Sequence, residues 1–229
     1  MKKTILAFII IISSFMLKAG AVVVEEPVNK TDTTKQTGSK FSVGFMLDYT
    51  LLNLLDEKGL KGVFDDNGFN INILINVKYN LTKNINLISQ FGYNYELYSF
   101  EKGDTNTTFP TAVSTNYSER FLLHAISLGI GARINLNKKV YTEFGVMSKF
   151  NFSKTYNYEA KNSNGNPIEV YVRDLNYIKD FNHDAYFRLG YNYVNLFAYY
   201  RLNDMFKPSN YAPVVYELPR LRIGISYGF

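Results

Sequence analysis

Apolar and polar residues alternate with a period of two along most of this chain, from Phe41 to Phe229. The first such stretch is FSVGFMLDYTL. It puts Phe41, Val43, Phe45, Leu47, Tyr49 and Leu51 on one side and Ser42, Gly44, Met46, Asp48 and Thr50 on the other. Side chains of a strand point alternately to opposite faces of a sheet, so this stretch predicts a strand with two chemically distinct sides. FNINILINVKY (Phe69 to Tyr79) repeats the arrangement with isoleucines against asparagines. A third strand is predicted from Ile85 to Leu97, a fourth through Ile126 to Ile134 and a fifth from Val140 to Phe152. The sixth runs from Ala185 to Tyr193, the seventh from Leu196 to Leu202, and the eighth is LPRLRIGISYGF.

The connections carry as much information as the strands. NLTKN (Asn80 to Asn84), NLNKK (Asn135 to Lys139) and a turn near Val194-Asn195 are short and rich in turn formers. The connections between them are long and polar. The longest, about Ser153 to Asn182, contains IEVYVRDLNYI, a segment able to extend a hairpin beyond the sheet. In an up-and-down barrel every second connection lies at the same end, and outer-membrane barrels have short periplasmic turns and longer external loops. The pattern predicts an all-β fold, an eight-stranded antiparallel up-and-down transmembrane β-barrel over residues 41–229, with both chain ends on the short-turn side.

The alternative is a soluble, lipocalin-like barrel, which fills its interior with apolar side chains. Here the polar face of the early strands carries Asp48, Lys78, Glu96, Arg133 and Glu143. That of the later strands carries Lys149, Arg188, Arg201 and Arg222. The other face is almost uninterrupted Phe, Tyr, Ile and Leu. Turned outward it makes a lipid-facing band, with Phe41, Tyr79, Tyr193, Tyr227 and Phe229 as an aromatic girdle at one edge. Closure also leaves no orphan backbone edge in lipid, where each such group costs several kcal/mol. The nine charged residues then face the lumen as a structural network. Arg133 and Glu143 flank one turn and are expected to pair, and barrel closure is expected to bring Arg220 or Arg222 near the depth of Asp48. Eight strands leave an interior just wide enough for side chains to fill, which argues against an open channel.

Composition refines this picture. The mean hydropathy is −0.14 although 46% of residues are hydrophobic, which fits alternation and not helical spans of about 20 apolar residues. Lys2 and Lys3, the apolar run Ile5 to Leu17 and Ala19-Gly20-Ala21 read as a cleaved signal peptide over 1–21. Residues 22–40 read as a flexible periplasmic leader. Setting the signal aside removes three lysines, and the balance becomes 25 − 3 = 22 basic against 20 acidic residues. The basicity is then a poor argument for nucleic acid. The absence of Cys excludes disulfides, thiolate metal sites and a Cys nucleophile.

Two local features carry a family resemblance. YYRLNDMF (Tyr199 to Phe206) leads into a Pro-containing loop, and the chain closes on ELPRLRIGISYGF. With them the chain resembles the small outer-membrane β-barrels of Bacteroidetes-type bacteria, often labelled porin-like. The resemblance implies a Gram-negative cell envelope, contact with outer-membrane lipid, and a last strand ending on Phe229 that the barrel-assembly machinery reads. It says almost nothing about activity.

Candidate chemistry is sparse. His124 has apolar-face parity, with Arg120 on the same face; Ser118 and Ser127 are the nearby hydroxyls, and Ser127 has the opposite parity. His183 adjoins Asp184 where the longest loop enters the sixth strand. A Ser-His pair is the arrangement a lipid-modifying enzyme would use, but no motif places nucleophile, base and acid at mutual reach. Asp56, Glu57, Asp65, Asp66, Asp104, Glu159 and Glu169 form an acidic external rim without calcium-loop spacing. No P-loop, dinucleotide fingerprint or HExxH occurs. The expectation is a non-enzymatic envelope protein without cofactor or metal, binding an unknown extracellular ligand through its loops; a lipid-modifying enzyme and a small solute pore are the alternatives.

Overall fold

The computed structural model describes residues 40–54, 68–101, 117–161, 165–207 and 218–228. The proposed signal peptide, nearly all of the leader, Phe229 and the loop acids Asp56, Glu57, Asp65, Asp66 and Asp104 lie outside these residues. The described residues form nine strands: β1 (Phe41–Leu54), β2 (Phe69–Asn80), β3 (Ile85–Glu101), β4 (Tyr117–Asn135), β5 (Val140–Lys161), β6 (Pro167–Arg173), β7 (Phe181–Tyr191), β8 (Val194–Arg201) and β9 (Leu221–Gly228).

All pairings are antiparallel. Each barrel strand pairs with the next, β5 pairs with β7, and β9 returns to β1 through registers such as Asp48 with Ser226. The result is a closed, eight-stranded barrel, as the alternation predicts. β6 is not one of the eight. It pairs with the far end of β5, from Thr155 opposite Arg173 to Lys161 opposite Pro167, and so continues a hairpin beyond the barrel.

Local chemistry explains the turns. In NLTKN the hydroxyl of Thr82 accepts from the amide of Ile85 at 3.0 Å. In NLNKK the side chain of Asn137 accepts from the amides of Lys139 and Val140, each at 2.8 Å. These side-chain acceptors mimic a backbone turn and hold the strands in register. The third short turn is Asn192-Tyr193, two residues earlier than the sequence suggests. Tyr191 pairs with Val194, and Asn192 takes the left-handed conformation (φ 55°) that a tight hairpin requires.

The faces are inverted relative to a soluble barrel. Leu128 is 63% exposed and Phe91 51%, whereas Asp48, Glu143 and Arg188 are fully buried. Exposed Phe, Ile, Leu, Val and Tyr occur on every barrel strand, a continuous apolar surface well beyond what a soluble monomer shows water. Inside, close packing depends on glycine: Gly131 and Gly145 are opposite each other, and the ring of Tyr186 lies over both.

Two bulges bend the wall near its outer end. One inserts Leu51 between the β1 residues that pair with Gly224 and Ile223. The other inserts Phe152 between those that pair with Ala125 and His124. Beyond the second bulge the inward residues are Phe121 and Leu123 from β4 and Tyr156 from β5, with the buried Lys154 beside them. With Tyr98, Leu175, Ile178, Met205, Phe206 and Leu218 they form a small core at the outer end of the barrel.

Candidate functional site

The lumen holds two groups of ion pairs. In the first, Glu143 of β5 accepts from Arg133 Nη2 at 2.7 Å and Nε at 3.0 Å, from Arg188 Nη1 at 2.8 Å and from Gln90 at 3.1 Å. The second arm of Arg188 reaches Asp48 at 2.9 Å, and the hydroxyl of Tyr199 donates to the same carboxylate oxygen at 2.6 Å. In the second group Glu96 and Asp184 each pair with both Lys149 and Arg222. The Lys149–Asp184 distance is 2.7 Å and the Arg222–Glu96 distance 2.5 Å. Tyr98 donates to Glu96 at 2.9 Å. The ring of Tyr199 joins the groups, with the guanidinium carbons of Arg188 and Arg222 each 5.4 Å from its centroid.

Strand parity creates this arrangement. Asp48, Glu96, Glu143, Lys149, Arg188 and Arg222 all have inward parity, and closure brings charges distant in sequence together. Arg201 is also buried and donates to the carbonyls of Leu218 and Asn203. Lys78 lies half-buried at the short-turn end, outside both groups of ion pairs. The expected Arg133–Glu143 pair is present across β4 and β5.

The expected partner of Asp48 is corrected: Arg188 of β7 fills that role, across the lumen. Arg222 lies opposite Asn53, nearer the outer end, and turns to Glu96 and Asp184, while Arg220 pairs with Asp204. The reason is the stagger between neighbouring strands that closing a barrel demands. Sequence reasoning passed over Asp184 as a loop-end residue, although it shares the parity of Tyr186 and Arg188. It also passed over Tyr98 and Tyr199, whose hydroxyls complete the carboxylates' hydrogen bonds.

Apolar side chains also fill the lumen. Met46, Leu74, Met147, Tyr186 and Phe197 are packed among the ion pairs, and the outer apolar core closes the opposite end. Among the described residues, Asn72, Asn94 and Ser127 on the β2–β4 wall keep buried polar atoms without a hydrogen-bond partner.

Two features stand outside the lumen. The first is the sheet of β4, β5 and β6 beyond the barrel. Its outward side carries Arg120 and Glu159, paired at 3.4 Å, and Asn157. Ile168, Val170 and Tyr171 of β6 are exposed, and among the described residues β6 has a strand on one edge only. The segment after β6 is fastened to the barrel mouth. Ile178 bridges to Phe206, Lys154 donates to the carbonyl of Ile178 at 3.2 Å, and Lys154 also pairs with Asp180. The hydrogen bond from the Lys154 ammonium holds the Asp180 carboxyl below the usual carboxylate range.

The second feature is the pair of histidines, both on the outer face. His124 is hydrogen-bonded to the hydroxyl of Tyr93 and flanked by Tyr95 and Phe152. Ser127 is buried in the lumen, so it cannot serve His124. His183 instead meets Ser148, Oγ to Nδ1 at 3.0 Å, as a cross-strand pair of β5 and β7. Among the described residues no carboxylate is bonded to either ring, and no cluster of three potential metal ligands occurs.

No family model matches the chain, and no curated protein matches it. Solved structures do. Ail, the attachment invasion locus protein of Yersinia pestis, in complex with the heparin analogue sucrose octasulfate, is 12% identical with a TM-score of 0.37. That match covers 82% of this chain and 97% of the other. A major outer membrane protein from Thermus thermophilus is 15% identical with a TM-score of 0.37, covering 84% and 85%.

Proposed function

We propose that this chain is a non-enzymatic, non-conducting protein of the bacterial outer membrane that holds a β-sheet above the outer leaflet for binding at the cell surface. The observation that carries the reading is a lumen filled with buried ion pairs inside an apolar belt, with the β4–β5–β6 sheet standing over it. The belt needs lipid, since no soluble interior accounts for it. The plug leaves no route for solute. Among the described residues one edge of β6 has no neighbouring strand and Ile168 and Val170 are exposed, the features to which an extended partner segment adds. Export through a cleaved signal peptide and assembly directed by the last strand belong to the same reading.

The chain contains no cysteine, so single cysteines report unambiguously. On intact cells an impermeant maleimide is expected to label Tyr171→Cys, and Lys83→Cys only after the envelope is opened. The reconstituted protein is expected to give no conductance steps in planar bilayers. The opposite labelling or regular steps would sink the reading. The Ser148–His183 contact favours a second one, hydrolysis of a lipid ester by a serine activated by histidine. Ser148→Ala is expected to leave the mass spectrum of the envelope lipids unchanged, and an altered lipid species would favour the enzyme.

A further inference from the structure

The two five-residue turns at the short-turn end are built alike. NLTKN and NLNKK share Asn-Leu at their first two positions, a side-chain acceptor at the third and lysine at the fourth. Both are closed by the same bonds. Leu81 and Thr82 donate to the carbonyl of Ile85, and Leu136 and Asn137 donate to that of Val140. Each turn therefore holds a leucine and a lysine in a fixed place. Leu81 is 56% exposed and Leu136 62%, and Lys83, Lys138 and Lys139 are exposed beside them.

Exposed leucine at a tight turn is unfavourable in water and favourable against acyl chains. The neighbouring aromatic residues mark the boundary of those chains. Phe41 and Tyr79 lie as tilted rings with centroids 4.8 Å apart, and Tyr193 and Tyr227 likewise at 6.3 Å, both pairs on the outer face at this end. The charge there has one sign. Described residues 40–42, 78–86, 134–142, 190–195 and 226–228 at the rim include Lys40, Lys78, Lys83, Lys138 and Lys139 and no Asp or Glu, and Glu143, just inside, is held by Arg133 and Arg188. The opposite end mixes both signs, with Arg120–Glu159, Lys154–Asp180 and Arg220–Asp204.

From this geometry we infer that the paired turns form a lipid-binding rim, in which Leu81 and Leu136 enter the acyl boundary of the periplasmic leaflet and Lys83, Lys138 and Lys139 hold acidic phospholipid headgroups. The inference rests on the membrane reading above. An ammonium group near an anionic membrane surface is attracted to it, and a fixed turn loses little entropy in placing it.

The chain has no tryptophan, so a single one reports its own surroundings. The full mature protein carrying Leu136→Trp is placed in phosphatidylcholine vesicles with and without phosphatidylglycerol. Its emission is expected to be quenched by lipid brominated close to the headgroup. After detergent extraction from mixed vesicles, wild type is expected to retain phosphatidylglycerol several-fold above its bulk share. The triple variant Lys83→Gln, Lys138→Gln, Lys139→Gln is expected to return it to the bulk share. Water-like, unquenched emission at position 136, or equal retention by wild type and the triple variant, overturns the inference. Leu128→Trp, in the middle of the belt, separates the two levels. If bromine deep in the chains quenches it while position 136 stays unquenched, the barrel spans the bilayer and the rim alone is wrong. If neither position is quenched, the membrane reading falls as well.

Discussion

Arg188 shows what the lumen asks of a single residue. Its guanidinium is fully buried, bonded to Asp48 and Glu143, and packed beside the rings of Tyr186 and Tyr199. Buried ion pairs add little net stability over apolar packing, but removing one partner strands the other charge. Arg188→Gln is therefore expected to cost about 3–5 kcal/mol, read as a lower urea midpoint for the refolded barrel. Arg120→Gln breaks a pair whose side chains are 40% and 45% exposed, and it should cost no more than about 1 kcal/mol. Parity alone marked Arg188, Asp48 and Glu143 as inward in the sequence. Which charges meet was less legible, because stagger is set by all eight strands together and leaves no mark at any single position. Asp184 was missed because its neighbour His183 faces outward at the end of a long loop, which masked the inward parity that Asp184 shares with Arg188.

At the scale of elements, β4 and β5 show why the barrel was readable and the sheet above it was not. Within the belt their outward residues are apolar apart from Thr142 and Ser148, as with Leu128 and Phe144. Farther out the outward residues become Arg120, Asn157 and Glu159, and the inward ones become Phe121, Leu123 and Tyr156. The alternation reverses where the strands leave the belt, and the Phe152 bulge shifts its phase on β5 at the same place. A reading that follows one apolar parity therefore stops short of Tyr117 and Lys161, the real ends of the two strands. The segment from Leu175 to Asp180 was legible only as part of a long gap, since its anchoring is entirely tertiary. One of those anchors depends on pH. The carboxyl of Asp180 is depressed by Lys154, so its contribution is complete above the ordinary aspartate value of about 3.9 and is lost as the pH falls through the lower, folded value. Hydrogen exchange across residues 174–180 should accelerate as the pH drops through that window, beyond the intrinsic pH dependence of exchange. Asp180→Asn should remove the extra acceleration; a wild-type segment that follows the intrinsic dependence alone would dismiss the anchor.

At the scale of the whole molecule, three zones follow one another along the barrel axis. The short-turn end is basic and aromatic, the middle is apolar outside and ionic within, and the outer end is polar outside with an apolar core. Alternation, loop lengths and the charged inward face exposed the middle zone in the sequence. The other two emerge only when separate turns or strand ends are brought side by side. The ion pairs of the middle zone also bear on how the barrel comes to exist. Asp48 on β1 meets Arg188 and Tyr199 across separations of 140 and 151 residues, and Glu96 meets Arg222 across 126. None of these three contacts can form while the chain is a row of hairpins, so an open intermediate leaves Asp48 without Arg188, and Glu96 without Arg222, until β1 meets β9; the adjacent-strand pairs Arg133–Glu143 and Arg188–Glu143 need no closure. Bonds absent from the transition state for assembly slow disassembly without hastening assembly. The long-range pairs therefore act as a latch in time: they form only on closure, and once made they are slow to undo.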